Sequence, residues 1–146
     1  MSDYEIEVGT WNDLSEGSTA VRTAVFVEEQ GVSEAEELDG RDPDAVQFLA
    51  RDGGSPVGTA RLRFPEQTVG KVERVAVRKS HRDAGVGSAL MRAVEDAARD
   101  EDVSELKLHA QTRVEAFYRQ LGYETVSDEF EEAGIPHVEM RKRLDG

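Results

Sequence analysis

Apolar residues recur along this chain at two spacings, and the change from one to the other predicts the order of elements. Between Ser18 and Gln30, Val21, Ala24, Val25 and Val27 fall around a helical face, with Gly31 as a natural stop. AVQFLAR and VGTARLRF flank the glycine-rich DGGSP, so residues 45 to 64 read as a β-hairpin. PEQTVG then turns the chain into the β-branched run KVERVAV. From 86 to 98, Val86, Leu90, Ala93, Val94 and Ala97 share one stripe while Arg92, Glu95, Asp96 and Arg99 lie elsewhere, which predicts an amphipathic helix. ELKLHAQ predicts a strand, TRVEAFYRQL a helix ending at Gly122, YETV a short strand and HVEMRKRL a last strand. Early strands followed by alternating helices and strands predict an α/β fold, a mixed, twisted central sheet with helices on its faces. No repeat, low-complexity tract or Pro/Gly/Ser linker divides the 146 residues, so 1–146 are expected to form one domain.

Composition narrows the chemistry. There is no cysteine, which excludes disulfides, thiolate metal sites and an acyl-cysteine intermediate made by this chain, and a cytoplasmic location is the expectation. MSDYEIEVGTW has neither a basic n-region nor an apolar core, and no run approaches the roughly 20 apolar residues of a membrane span. A formal charge of -13 disfavours nucleic acid and anionic membrane as partners. His81, His109 and His137 are far apart in sequence and lack HExxH spacing, so no metal site is expected.

Against that acidic background one stretch reverses sign. Between residues 71 and 92 stand Lys71, Arg74, Arg78, Lys79, Arg82 and Arg92 against only Glu73 and Asp83. The reversal coincides with Gly85 and Gly87 at the opening of the amphipathic helix, where close backbone approach, free first-turn N–H groups and the helix dipole favour an anion such as a pyrophosphate. A flexible helix entry with chance cationic neighbours would look the same. A Walker loop is absent, and a dinucleotide fingerprint fails because Leu90 stands where the third glycine or alanine belongs.

The order VAV, four residues, RDAGVGSALM closely resembles the acyl-CoA-binding core of the GNAT superfamily of N-acetyltransferases, where a hydrophobic strand leads to an Arg/Gln-x-x-Gly-x-Gly/Ala turn and a helix. AFYRQLGYETV is similar to the superfamily's later helix with a tyrosine ahead of a Leu-Gly-Tyr/Phe turn. VFVEEQGV, LHAQT and AGIPHVEM resemble a bacterial and archaeal subgroup of small members, so that the likeness covers roughly residues 20 to 143. The resemblance implies a GNAT-like sheet with an acyl-CoA cleft between its central strands, acetyl-CoA as cosubstrate, and an amine acceptor, either a small molecule or a protein amine. Residue by residue, it assigns Val75, Ala76 and Val77 to the acetyl-pantetheine arm. The amides of Arg82, Asp83, Ala84, Gly85, Val86, Gly87 and Ser88 are assigned to the pyrophosphate, with Arg82 adding charge. Lys79 and Arg78 are candidates for the 3'-phosphate. Gln111 stands where many relatives carry an asparagine facing the cofactor.

Catalytic roles follow on the same terms. Without cysteine, the simplest course is direct attack by the amine, with an oxyanion stabilised by donors such as the Val77 N–H. A lysine-like amine of pKa about 10.4 must lose a proton, and Glu73 is the candidate base. On a regular strand Glu73 shares the face of Val75 and Val77, a parity that a bulge would break, and the role needs a raised pKa or a relaying water. A carboxylate simply paired with Arg74 and Lys71 is the rival reading. Tyr118 stands where the resemblance expects the acid that protonates the departing thiolate, with packing beside Phe117 as its rival. His109 is an alternative base or an ordinary strand histidine. Trp11, Phe26 and Phe48 read as core or acceptor-pocket walls. Glu28, Glu29 and the acids of SEAEELDGRDPD either attract a cationic amine or form a solvated loop. A non-catalytic acyl-CoA sensor is the alternative function, and a homodimer through edge strands is compatible with the pattern.

The 14 arginines, 4 lysines and dispersed acids also suggest a surface suited to high salt, where screening at about 1 M suppresses self-repulsion; an ordinary acidic mesophile protein is the alternative. The expected result is a melting temperature that rises between low and molar KCl, and a flat or falling curve rejects the salt reading.

Overall fold

Thr10 closes the first strand and opens the first helix. In the computed structural model, which describes residues 4–82 and 84–144, its hydroxyl accepts from the Asp13 amide at 3.4 Å, so β1 (Tyr4–Gly9) gives way at once to α1 (Trp11–Arg22). The apolar stripe predicts a start at Ser18; the cap, a local polar signal, sets it at Trp11 instead. The helix then runs directly into a π-helical segment, Thr23–Glu29, in which the Gln30 N–H reaches back to the Val25 carbonyl at 3.1 Å. A short α2 (Glu34–Glu37), capped by Ser33, leads through the acidic loop to the sheet.

The chain follows the predicted order of elements with three additions. β2 (Val46–Asp52) and β3 (Ser55–Glu66) form the expected hairpin, followed by β4 (Val69–Val77), α3 (Val86–Asp100) and β5 (Glu105–Gln111). The segment read as one helix from Thr112 is a 3-10 turn, Thr112–Val114, that passes into α4 (Glu115–Gln120). β6 (Glu124–Thr125), β7 (Phe130–Glu132) and β8 (Ile135–Arg143) complete the chain; β1, α2 and β7 are the elements the apolar pattern did not predict. Strand order is β1-β2-β3-β4-β5-β8-β6, with β7 also on β8, and every pairing is antiparallel except β4 with β5. That parallel pair is joined through α3, the crossover a parallel connection requires.

Two layers of side chains hold the helices to the sheet. On one face Phe48, Leu62, Val72, Leu106 and Met140 meet Leu90, Met91 and Val94 of α3 in the larger core. On the other, Leu49 and Ala76 meet Leu14, Val21 and Val25. α3 sits close: a Cβ at Gly58 of β3 would lie 2.8 Å from Val86 Cγ1 and 2.9 Å from Leu90 Cδ1, both fully enclosed side chains. The absent side chain is thus what lets the first turn of α3 rest on β3. Among the described residues no helix is long and apolar enough to cross a membrane.

The parallel ladder is short. It pairs Val69–Val72 with Glu105–Leu108 and stops, although β4 continues to Val77 and β5 to Gln111. At the same place β4 slips register against β3 between the pairs Arg61↔Glu73 and Thr59↔Ala76, and Arg74 takes a left-handed φ of 55°. This is a bulge, and its extra residue bends β4 away from its neighbour.

Candidate active site

Where β4 and β5 part, a cavity of about 770 Å³ opens between them. Its walls take Val75, Ala76 and Val77 from β4, Gly85 to Ser88 from the start of α3, Gln111 from β5 and Tyr118 from α4. Most of the expected cofactor and catalytic residues therefore converge on one cleft. Ala84 sits in the exposed turn ahead of Gly85 and is not part of the wall, and Asp83 lies outside the described residues.

The α3 end of the cleft offers backbone donors. Gly85 caps the helix with φ 86° and no side-chain cap, and the first helical bond there is from the Ala89 N–H to the Gly85 carbonyl at 3.1 Å. The preceding amides of the turn have no partner inside the helix, and the helix dipole makes that end attractive to an anion. Gly87 is needed for a second reason: a Cβ there would meet Phe117 Cζ at 3.1 Å, so α4 packs against the turn only because the position is bare. Arg82 differs from the expectation that it supplies free charge. Its Nη1 and Nη2 donate to the Glu29 carboxylate at 2.6 and 2.7 Å, and its Nε donates to the Val77 carbonyl at 3.0 Å. Arg82 is thus a brace between the π-helical segment, β4 and the glycine turn, with its charge already matched. Lys79 is exposed beside the turn, whereas Arg78 is tied through Nε to the Pro56 carbonyl at 2.8 Å.

The π-helical tail spans the cleft. Glu29 holds Arg82 on one side, while Gln30 Oε1 accepts from Gln111 Nε2 at 2.9 Å on the other. Gln111 Oε1 in turn accepts from Arg113 Nε at 2.9 Å. Gln111 does line the cavity, as its position implied, but its amide is engaged on both sides.

Glu73 departs furthest from expectation. The bulge at Arg74 reverses the strand parity, so Val75 and Val77 pack with the larger core while Glu73 faces the opposite layer. There its Oε1 accepts from Arg61 Nη2 at 2.6 Å and Arg63 Nε at 2.6 Å, and Lys71 Nζ lies 3.3 Å from Oε2. Burial alone would raise its pKa, but hydrogen bonding from Arg63 and Arg61 and the charge of Lys71 outweigh it and pull the group down to about 2. The raised pKa asked of a direct base is therefore absent. The carboxylate still lines the cavity, ionised at every ordinary working pH.

Tyr118 is buried against Phe117 and Tyr123, both edge-on, with ring centroids 5.0 and 5.9 Å away. It packs as its plainer reading expects, and it also lines the cavity. Desolvation pushes its hydroxyl well above the usual tyrosine range. The group stays protonated and available as a hydrogen-bond donor, though it is a weaker acid than a free tyrosine.

Behind Glu73 lies a charged layer that the sequence did not reveal. Arg22 of α1 and Arg61 of β3 are fully enclosed. Arg22 holds Glu37 at 2.6 and 2.7 Å and Asp42 at 2.8 Å; Arg61 holds Asp39 at 2.8 and 2.9 Å and also reaches Asp42. The acidic loop read as solvated, or as bait for an amine, thus turns three of its carboxylates inward as counter-ions. Glu28 stays exposed. Trp11 lies under the Arg22 guanidinium, 5.3 Å from the ring centroid, Phe48 is core and Phe26 lines the cavity.

Histidines far apart in sequence also come together. β5 and β8 place His109 and His137 on neighbouring strands with Glu132 between them, 2.9 Å from His109 Nδ1 and 3.8 Å from His137 Nε2. His109 lines the cavity, with Glu139 Oε1 3.4 Å from its Nε2.

A family model described as "Acetyltransferase (GNAT) domain" matches residues 12–144. The uncharacterised N-acetyltransferase YjcF of Bacillus subtilis is 46% identical over 123 residues, covering 84% of this chain and 87% of that protein. The crystal structure of Escherichia coli ElaA superposes with a TM-score of 0.84 at 25% identity, covering 95% of this chain and 99% of that one. An acyl-CoA N-acyltransferase from Pseudomonas aeruginosa gives a TM-score of 0.82 at 28% identity, covering 96% and 99%.

The Glu73 cluster generates an acid signature. A carboxyl whose folded pKa is depressed contributes stability that is present above its unfolded pKa and lost as pH falls through the folded one, here from about 4.5 down to about 2. Urea midpoints should fall through that window, and Glu73→Gln should remove part of the fall while lowering stability at neutral pH. An identical pH dependence in the variant contradicts the ion-paired assignment.

Proposed function

The chain belongs to the GNAT acetyltransferase family, and from that premise we propose that it transfers the acetyl group of acetyl-CoA to a primary amine by direct attack. One observation carries the reading: the cavity between the parted β4 and β5 joins the first turn of α3, the strand Val75–Val77 and Tyr118 in a single wall. The GNAT fold implies acyl-CoA binding, and these residues fit such a ligand. The α3 amides suit the pyrophosphate, with Arg82 bracing the turn rather than neutralising the anion. The edge of β4 beyond Val72, left without a strand beside it, suits the amide-bearing pantetheine arm.

In the transfer, the amine nitrogen forms a bond to the thioester carbon, the oxygen takes up negative charge, and the C–S bond then breaks to give the amide and the thiolate of CoA. Donors fixed along β4 stabilise the oxyanion. Tyr118, kept neutral by burial, donates a hydrogen bond to the sulfur as charge develops there. Because its acidity falls below that of a thiol, stabilisation of the thiolate precedes any complete proton transfer. A carboxylate of pKa about 2 is a weak acceptor for an ammonium proton, so Glu73 acts by orienting water that carries the proton away. With no cysteine in the chain, a cysteinyl intermediate is excluded and the acetyl group passes in one step from CoA to acceptor.

Tyr118→Phe tests the arrangement. The hydroxyl's hydrogen bond to a developing thiolate is worth on the order of 10- to 100-fold in rate. The variant should lose that much kcat in a thiol-release assay with an amine panel, with KM for acetyl-CoA nearly unchanged. Unaltered turnover rejects the role.

A further inference from the structure

Beside the bulge in β4 the cavity wall holds a guanidinium that its surroundings do not fully match. Five cations, Arg22, Arg61, Arg63, Lys71 and Arg74, meet four carboxylates in the layer beneath the cleft. The strong contacts are already distributed. Glu37 is gripped at both oxygens by Arg22, Asp39 at both oxygens by Arg61, and Glu73 by Arg61, Arg63 and Lys71. Arg74 receives what remains: its Nη2 donates to the Glu37 carbonyl at 3.0 Å and more distantly, at 3.4 Å, to the Glu36 carbonyl and Asp39. The Glu37 carboxylate stays 3.7 Å from Nε, a buried atom that makes no hydrogen bond, and Nη1 donates to no described residue.

Arg74 is also the residue that occupies the bulge. A left-handed φ of 55° is unfavourable for a long side chain, and such outliers persist where surrounding structure holds them for a purpose. Here the bulge turns an arginine, where glycine or asparagine would sit more easily, into the wall of the cavity one residue ahead of the pantetheine strand. Burial and the nearby positive charge of Arg61 pull its pKa below the usual arginine range, so another negative group beside it would relieve that repulsion.

Building on the acetyl-transfer reading, we propose that Arg74 binds a carboxylate of the acceptor, making the substrate class amino acids or other amines that carry an acidic group rather than polyamines. Nη1, the nitrogen left over, offers a carboxylate a charge-assisted hydrogen bond as well as opposite charge. Cationic acceptors find no equivalent in this layer, where Glu37, Asp39 and Glu73 are each held by arginine; the other carboxylates on the wall, Glu36 and Glu132, bond Ser33 and His109. The acceptor thus binds by its acid group at β4 while its amine faces the thioester.

Acetylation kinetics for matched pairs, each amino acid beside its carboxamide, together with simple diamines, test this. The wild-type protein should show kcat/KM at least about tenfold higher for the free acids. Arg74→Asn, which suits a left-handed backbone, should abolish that preference by raising KM for the acids alone, leaving KM for acetyl-CoA and for the carboxamides unchanged. Arg74→Lys should keep part of the preference, and it serves in place of the asparagine variant if that one does not fold. Equal or better use of carboxamides or diamines by the wild type, or a preference that survives in Arg74→Asn, overturns the proposal. If no amine at all is acetylated, the acetyl-transfer reading itself fails. The carboxylate subsite is then judged by melting shifts of the CoA-loaded protein, where a shift with free acids but not with carboxamides supports it and no shift overturns it.

Discussion

Everything at this site depends on the place where β4 and β5 stop pairing. Four residues of each strand form a parallel ladder, and the bulge at Arg74 then bends β4 away while β5 keeps its partner β8 to the end. Had the ladder continued, its backbone groups would have been consumed by one another and the sheet would have closed. Because it ends, one edge of β4 faces an open cleft in the middle of a sheet, where hydrogen-bonding groups are ordinarily fully paired. The same bulge sorts the side chains. It sends Val75 and Val77 toward the core with α3, and Glu73 toward the charged layer under α1.

That charged layer explains how an acidic chain can build an active site without a free excess of negative charge in it. Burying Arg22 and Arg61 costs desolvation that only well-formed ion pairs offset, and removing one member of such a pair typically costs about 3–5 kcal/mol. The end of α2 and the loop after it supply the counter-ions from three closely spaced positions, Glu37, Asp39 and Asp42. Fixing those carboxylates also fixes the segment that borders the cavity at Glu36, Glu37 and Asp39. A change to one partner in this layer is therefore felt in the cleft, whose wall includes Glu37, Asp39, Glu73 and Arg74.

How much of this was legible beforehand follows from the range of each interaction. The hairpin, α3 and β5 could be read because local periodicity dictates them, and the glycine turn because Gly85 and Gly87 do a local job. β1 and β7 are short strands on the sheet's periphery, and the π-helical segment is a distortion of a helix whose apolar stripe barely changes. The site residues on the wall were likewise legible from the motif. Their electrical states were not: Glu73's cations come from β3 as well as β4, and Arg82's counter-ion from the π-helical tail. Strand parity failed at Glu73 because a bulge at a non-glycine residue leaves no mark in the hydrophobic pattern. His109 and His137 looked unrelated because only the β5 to β8 pairing makes them neighbours.

The central claim is that the gap between β4 and β5 receives the coenzyme through backbone groups. Amide chemical shifts of isotopically labelled protein, followed while CoA is added, address it most directly. The account predicts saturable shifts concentrated at Val75–Val77 and Gly85–Ser88, with the outer strands β1 and β2 quiet. Saturating CoA that leaves those amides unmoved, or that perturbs only distant surfaces, would contradict it.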